Sequence, residues 1–405
     1  MAVSALIQFP VSASRQISPP TILVGVTHDQ TCLILGPRLR ALRKAGYRVH
    51  LVSSPGPLLD ETAAHEDVEP IALPIRRGIA PIADLVSLFR LWRLIGACRP
   101  DLVEFSTPKA GLLGTLAAWL RGVPHRVYML RGLKLHCTSG IKRRILLAAE
   151  RMAARCAHVV LCNSQSLREE ALELRLAPPS KLALLGQGSS NGVDTVRFSP
   201  GPSHVRSQLR IPRSAPVIGF SGRLTRDKGL PELLEAFELI HAFEPTARLL
   251  LVGWFDAADD ALDPRLQKRL IENPNIICTG FVGDTAPYYR AMDILVLPTW
   301  REGFPNAVLE AAATGIPVVT TASTGARDSV VAEVTGLLIP PGNYYAIFEA
   351  VKKLLRDPER KEQMGRAARA WIVAHFAESH VVGLTVDYYQ GLLDERFAKS
   401  SLRHA

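Results

Sequence analysis

The chain has 405 residues, 47% of them hydrophobic and 6% aromatic, which is an ordinary globular composition with room for two or three domains. Its net charge of +10 is lopsided: residues 1–200 carry 25 Lys and Arg against 14 Asp and Glu, and the remainder is nearly neutral. Six scattered cysteines (Cys32, Cys98, Cys137, Cys156, Cys162, Cys278) without a Cys-x2-Cys pair argue against a zinc site or a disulfide framework, and no uninterrupted apolar run is long enough to cross a membrane.

Residues 1–20 lack a charged start followed by a long apolar stretch, so they are expected to form a flexible tail rather than a secretory signal. Beyond them, strand and helix patterns alternate. Strands are expected at Thr21–Val26, Tyr47–Ser53, Leu102–Phe105, His125–Leu130 and His158–Cys162, and helices at Gly36–Ala45, Ile82–Cys98, Gly111–Arg121 and Ile141–Arg155. Such alternation means a parallel, doubly wound sheet. The span 141–155 is basic and amphipathic. It reads either as a membrane-surface helix or as a core-facing helix with a solvated basic edge.

A Gly-, Pro- and Ser-rich stretch then marks an interdomain linker, 196–214. The second half repeats the scheme, with strands at Val217–Ser221, Arg248–Val252, Ile276–Thr279, Ile294–Leu297, Pro317–Thr320 and Gly336–Ile339. Helices at Tyr344–Leu355, Pro358–His375 and Glu378–Phe397 close the chain. The expected division is 21–195 and 215–380 for the two domains, with 381–405 as a final helix.

Two strand ends carry chemistry. After Val217–Ser221 come Gly222, Arg223, Lys228 and Gly229, where glycines let the backbone approach a ligand and an Arg fork with a mobile Lys suits a diphosphate. After Ile294–Leu297 come Glu302, Gly303, Phe304, Pro305 and Asn306, then Glu310. Asn306 can cap a short helix that Gly315 ends, so loop amides and a positive helix terminus face outward beside two carboxylates. A carboxylate beside a phosphate pocket is costly unless it accepts hydrogen bonds from sugar hydroxyls or supports a cationic sugar, which points to a nucleotide-sugar. The bland counterparts are a surface ion-pair loop and a capped helix with solvated glutamates.

The pattern Gly-Arg-x4-Lys-Gly followed by Glu-x7-Glu resembles the retaining glycosyltransferases of family 4, which have the two-Rossmann GT-B fold. It is closest to the branch that builds bacterial exopolysaccharides and polyprenyl-linked oligosaccharides. The resemblance implies two Rossmann-like domains facing a cleft, with a C-terminal helix crossing back to the first. It also implies that Arg223 and Lys228 hold the diphosphate, that Glu310 binds ribose hydroxyls and that Glu302 contacts the donor sugar near the reacting carbon. Gly303 to Asn306 would complete the phosphate and sugar contacts, and the backbone near Phe281 and Val282 would read the base. One departure stands out: where many members carry His-Gly, this chain has Arg131-Gly132, and an arginine cannot act as acid or base near neutrality. Lys109 and Arg131 are candidate ligands for acceptor phosphates, or simply solvated loop ends. His28, His125 and His136 match no motif.

The expected activity is transfer of a hexose or N-acetylhexosamine from a nucleoside diphosphate sugar, UDP first, to a polyprenyl-diphosphate-linked sugar, without a metal or other cofactor. The basic first half would rest on the inner face of the cytoplasmic membrane, since the aromatic sheet or recognition helix of a nucleic-acid binder is missing. A nucleotide-sugar epimerase, a phosphorylase and a non-catalytic scaffold of a polysaccharide-assembly complex remain alternatives on the same frame.

Overall fold

The computed structural model describes residues 19–401, except 77, 79, 134, 136, 137 and 257–259. The expected tail up to residue 18, His136 and Cys137 lie outside the described residues; the other five cysteines are unbridged.

In the first half, strands β1 (Thr21–Gly25), β2 (Arg48–Ser53), β3 (Glu69–Ala72), β4 (Leu102–Ser106), β5 (His125–Leu130), β6 (Val159–Cys162) and β7 (Leu182–Ala183) form one parallel sheet, ordered β3-β2-β1-β4-β5-β6-β7. Helices α1 (Gly36–Lys44), α2 (Pro57–Glu66), α3 (Pro81–Cys98), α4 (Pro108–Leu120), α5 (Gly140–Cys156) and α6 (Gln165–Glu173) connect them. Residues such as Leu23, Val103, Phe105 and Val127 are buried from both faces, which is why these strands read as continuous apolar runs. Four of these elements were not anticipated from the sequence, α2, β3, α6 and the two-residue β7. β3 is an exposed edge strand whose Pro70 removes a ladder donor, so it lacks an apolar signature.

The second half begins with the short α7 (Val205–Gln208). Strands β8 (Val217–Ser221), β9 (Arg248–Val252), β10 (Ile276–Cys278), β11 (Ile294–Leu297), β12 (Val318–Thr321) and β13 (Gly336–Ile339) form a second parallel sheet, ordered β10-β9-β8-β11-β12-β13. Helices α8 (Leu230–Phe243), α9 (Pro264–Glu272), α10 (Ala286–Tyr289), α11 (Asn306–Ala313), α12 (Tyr344–Arg356) and α13 (Pro358–His375) complete this domain. The segment expected as a linker is not a free tether. Phe198, Val205 and Ile211 bury in the second core, and Phe198 meets Tyr289 edge-on at 5.8 Å.

The last helix, α14 (Glu378–Ser401), returns to the first domain as the resemblance implies. Tyr389 and Leu393 join the core formed by α1, β1 and β2. There the Tyr389 hydroxyl donates to Glu104 Oε2 at 2.7 Å, and Glu104 Oε1 lies 3.1 Å from Arg38 Nη1, with all three side chains buried. An ion pair taken out of water is a poor stabiliser, but removing one member strands a buried charge. Glu104→Ala should therefore cost about 3–5 kcal/mol, and Tyr389→Phe about 1–3 kcal/mol, read as shifts in urea-unfolding midpoints. A loss below 1 kcal/mol in both variants would mean the cluster contributes nothing.

Candidate active site

Both sheets reverse strand order in the middle, at β1/β4 and at β8/β11. Adjacent connections leave to opposite faces at such a point, and the crevice outside the strand carboxyl ends is where open parallel sheets bind ligands. The Arg223–Lys228 loop follows β8 and the Glu302 loop follows its neighbour β11, so sheet order alone makes these two motifs adjacent. At the facing switch point the hydroxyls of Thr27 and Thr107 meet at 2.6 Å.

Asp227 joins the two loops of the second domain. Its backbone carbonyl accepts from the Trp300 amide at 2.9 Å and the Thr299 hydroxyl at 3.2 Å. Its carboxylate accepts from Thr225 Oγ1 at 2.6 Å and Arg301 Nη2 at 2.8 Å. Burial alone would raise the Asp227 pKa, but the Thr225 hydroxyl and the nearby Arg301, Lys228 and Arg223 bring it below the ordinary value. Gly229 takes a positive φ of 75°, and a Cβ there would collide with the Pro298 carbonyl, so only glycine lets the loops approach this closely.

The consequence is a direct ion pair between Lys228 Nζ and Glu302 Oε1, both largely buried. Two residues read from separate motifs thus meet in space. Arg223 sits at the same strand end but is held by Asp256, its Nη1 donating at 2.8 Å; nothing in the sequence singled out Asp256. The Gly222 amide donates to Val252 O, anchoring the start of the loop.

Further along, Glu310 lies in the second turn of α11. Its pKa is raised to about 7, first by burial, and is only partly restored by Tyr289 and by Arg197. Tyr289 is itself pushed well above the ordinary phenol range by burial and by the Glu310 charge. Arg197 forks onto Asp284 at 2.9 and 3.1 Å, on the loop that also carries Phe281 and Val282. Phe281 is two-thirds exposed and meets Trp254 edge-on at 5.6 Å, while Val282 is half-buried against the core.

At Gly303 the two domains meet backbone to backbone. A Cβ on it would lie 1.9 Å from the Arg131 carbonyl, and one on Gly132 would lie 3.3 Å from the Gly303 amide. Phe304 is buried against Phe376 at 5.1 Å. Asn306 is not the cap: Pro305 occupies that position without a side-chain hydrogen bond, and Asn306 is the first, exposed, helical residue. Its amide is thereby one of the first-turn donors that a helix cannot satisfy internally.

The two acceptor-side candidates differ from expectation. Lys109 is bound to Asp84 at 2.8 Å and to the Gly78 carbonyl, tying the first turns of α4 and α3 together. The Arg131 side chain turns inward, with Nε and Nη2 buried and without hydrogen-bond partners. Burial first, then Arg38, lowers its pKa to about 9, against the opposing influence of Glu104 and Tyr389. Neither is an open loop-end cation. Sequence reasoning missed Arg38, Glu104 and Tyr389, since a helix-start arginine, a mid-strand glutamate and a C-terminal tyrosine carry no joint signal.

Two facing doubly wound domains, with an ion-paired lysine and glutamate at the switch point of one, define a GT-B glycosyltransferase site. Models of two families match: the glycosyl transferase 4-like domain over residues 38–188 and glycosyl transferases group 1 over residues 215–357. The chain is 33% identical to the capsular polysaccharide biosynthesis glycosyltransferase CapM of Staphylococcus aureus, covering 92% of this chain and 98% of the relative. It is 28% identical to the UDP-Gal:alpha-D-GlcNAc-diphosphoundecaprenol alpha-1,3-galactosyltransferase of Escherichia coli, over 75% of this chain and 78% of that one. Anabaena HepE, solved with UDP and glucose, superposes with a TM-score of 0.76 at 19% identity over 91% of this chain and 99% of its own. The chain belongs to the family 4 glycosyltransferases, and it is a glycosyltransferase of GT-B fold.

The Glu310 shift yields a signed prediction. Its folded pKa lies above the unfolded value of 4.5, so the folded state holds the proton more tightly and ionisation costs stability as pH rises from about 4.5 through 7. Glu310→Gln should therefore gain roughly 2–3 kcal/mol at pH 8 but under about 1 kcal/mol at pH 5, read from urea melts at the two pH values. Equal gains at both would show that Glu310 is not the titrating group.

Proposed function

We propose that this glycosyltransferase moves a hexose or N-acetylhexosamine from a nucleoside diphosphate sugar, UDP first among them, to a sugar hydroxyl on a polyprenyl-diphosphate carrier. The anomeric configuration is retained, and the product is a bacterial surface polysaccharide. The observation that carries this reading is the Lys228–Glu302 pair at the β8/β11 crevice, with Arg223 on the same loop and Glu310 on the helix that follows. The Escherichia coli relative, named for a UDP-sugar donor and a diphosphoundecaprenol acceptor, supports the donor and acceptor classes, and the Staphylococcus aureus relative, named for capsule synthesis, supports the setting.

In the free chain, Glu302 keeps the Lys228 ammonium at the mouth of the crevice and each neutralises the other. An arriving diphosphate shares Lys228 and draws on Arg223, so that two fixed cations meet the negative charge that grows as the bond from the anomeric carbon to the phosphate oxygen breaks. The acceptor oxygen bonds to that carbon on the same face, and its proton passes to the departing phosphate. Glu302, released from part of its pairing, lies where it stabilises positive charge on the sugar. Glu310, once ionised, accepts the ribose hydroxyls. No metal is needed in this scheme, because Arg223 and Lys228 supply the countercharge. The acceptor enters from the first domain, and the enzyme works at the inner face of the cytoplasmic membrane.

The test is transfer from a panel of nucleoside diphosphate sugars to a polyprenyl-diphosphate-linked N-acetylhexosamine. The preferred donor should give the largest thermal shift, and Lys228→Ala should lower kcat about 100- to 1,000-fold. Unchanged turnover in that variant would reject the assignment. A product of inverted configuration, seen in the anomeric proton coupling, would reject retention.

A further inference from the structure

The two domains share a second contact, made of polar side chains rather than of backbone on backbone. Ser166 lies in the first turn of α6, in the first domain, and is 2% exposed. Its amide lies 3.3 Å from both carboxylate oxygens of Asp328, in the second domain, and its hydroxyl donates to Asp328 Oδ2. The same hydroxyl oxygen accepts from the Gly325 amide at 2.7 Å. An amide can only donate, so the single Ser166 hydroxyl proton is committed to Asp328. One side chain of the first domain thus grips two points of the second.

Local structure explains why a carboxylate belongs here. Ser164 caps α6 by accepting the Leu167 amide at 3.3 Å, which leaves other first-turn amides without a partner inside the helix. Asp328 answers the Ser166 amide and the positive end of the helix together. Its neighbour Arg327 pairs instead with Glu169 at 2.7 Å, and both of those side chains are exposed.

Gly325 carries the link onward to the Glu302 loop. It takes a φ of +76°, and a Cβ on it would lie 2.5 Å from the carbonyl oxygens of both Glu302 and Gly303. Its predecessor Thr324 accepts the Glu302 amide at 3.0 Å. The Thr321 and Ser323 hydroxyls donate to the Thr299 carbonyl, at the start of the same loop. The turn after β12 and the Glu302 loop therefore form one unit. Contact at Gly132–Gly303 limits how closely the domains approach, but it is not directional. The hydrogen bonds of Ser166 are, so they fix the register.

We propose that Ser166 and Asp328 are positioning residues for transfer: they set Glu302 against an acceptor held by the first domain. The proposal rests on the reading of Glu302 as the carboxylate that supports the donor sugar, and its test lets the two fail separately. Hydrogen exchange followed by mass spectrometry needs neither donor nor acceptor, so it decides the matter even where no acceptor supports turnover. In Ser166→Ala, segments 299–306 and 322–329 should exchange about tenfold faster, while β8 and α8 keep wild-type rates. Ser166→Ala and Asp328→Asn should each lower kcat about 10- to 100-fold, the span of a hydrogen bond to a charged group. The donor KM and the thermal shift with UDP should stay at wild-type values, because Arg223 and Lys228 both belong to the second domain. Joining the two substitutions should cost no more than the worse one alone, since both break one contact. Arg327→Gln removes only the exposed pair and should leave kcat unchanged. The proposal is overturned if Ser166→Ala turns over like the wild type, if exchange quickens at 322–329 but not at 299–306, or if the two kcat losses multiply. It is equally overturned if kcat falls only in step with the nucleotide shift. If Ser166→Ala loosens 299–306 while Glu302→Gln keeps normal turnover, the positioning stands and the role given to Glu302 fails instead.

Discussion

A lysine ammonium resting on a glutamate carboxylate in a half-dry crevice holds much of this molecule's chemistry in one contact. Lys228 and Glu302 come from loops 74 positions apart, and they meet because β8 and β11 are neighbours at the point where the strand order reverses. Neither charge would tolerate such burial alone. Each offsets part of the other's desolvation. The arrangement depends on Asp227, which binds both loops together through its carbonyl and its carboxylate, and on Gly229, whose conformation lets the backbone pass beneath Pro298.

The same economy governs the meeting of the two domains. Backbone touches backbone at Gly132 and Gly303, and the Ser166 amide and hydroxyl reach the Asp328 carboxylate from across the cleft. On the first-domain side, Arg131 follows the end of β5, yet its guanidinium turns into the core toward Arg38, Glu104 and Tyr389. Those groups couple three distant stretches of chain: the first helix, the middle of the sheet, and the last helix returning from the second domain. A cluster with more buried cations than carboxylates is tolerable only where closely packed surroundings fix every member. Its place directly behind the Gly132–Gly303 contact makes the seat of the Glu302 loop depend on the C-terminal helix.

Charge is divided unevenly between the domains. The second is nearly neutral overall, whereas the first carries the excess, part of it on helices that look outward. Arg90 and Arg93, which interrupt the apolar run of α3 in the sequence, flank its exposed apolar stripe in the fold.

The architecture was largely legible in the residues. Apolar runs marked β5, β8, β9, β11 and β13 to the residue, because strands buried on both faces leave no polar alternation to confuse. The spacing of Gly222, Arg223, Lys228, Glu302 and Glu310 marked two strand-end loops that the fold brings together, since glycines and charges interrupt the apolar runs there. The edge strand β3, the helices α2 and α6 and the folded course of the expected linker were not legible. Their stability comes from packing partners, and a Pro- or Gly-rich string does not disclose those. Only the tertiary structure decided which charges are spent and which are on offer. Lys109 proved to be tied to Asp84, Arg223 to Asp256, and Arg131 to the core, while the apolar side of α3 proved to face water. Periodicity shows that a helix has two faces; which of them is covered depends on neighbours brought together from elsewhere in the chain.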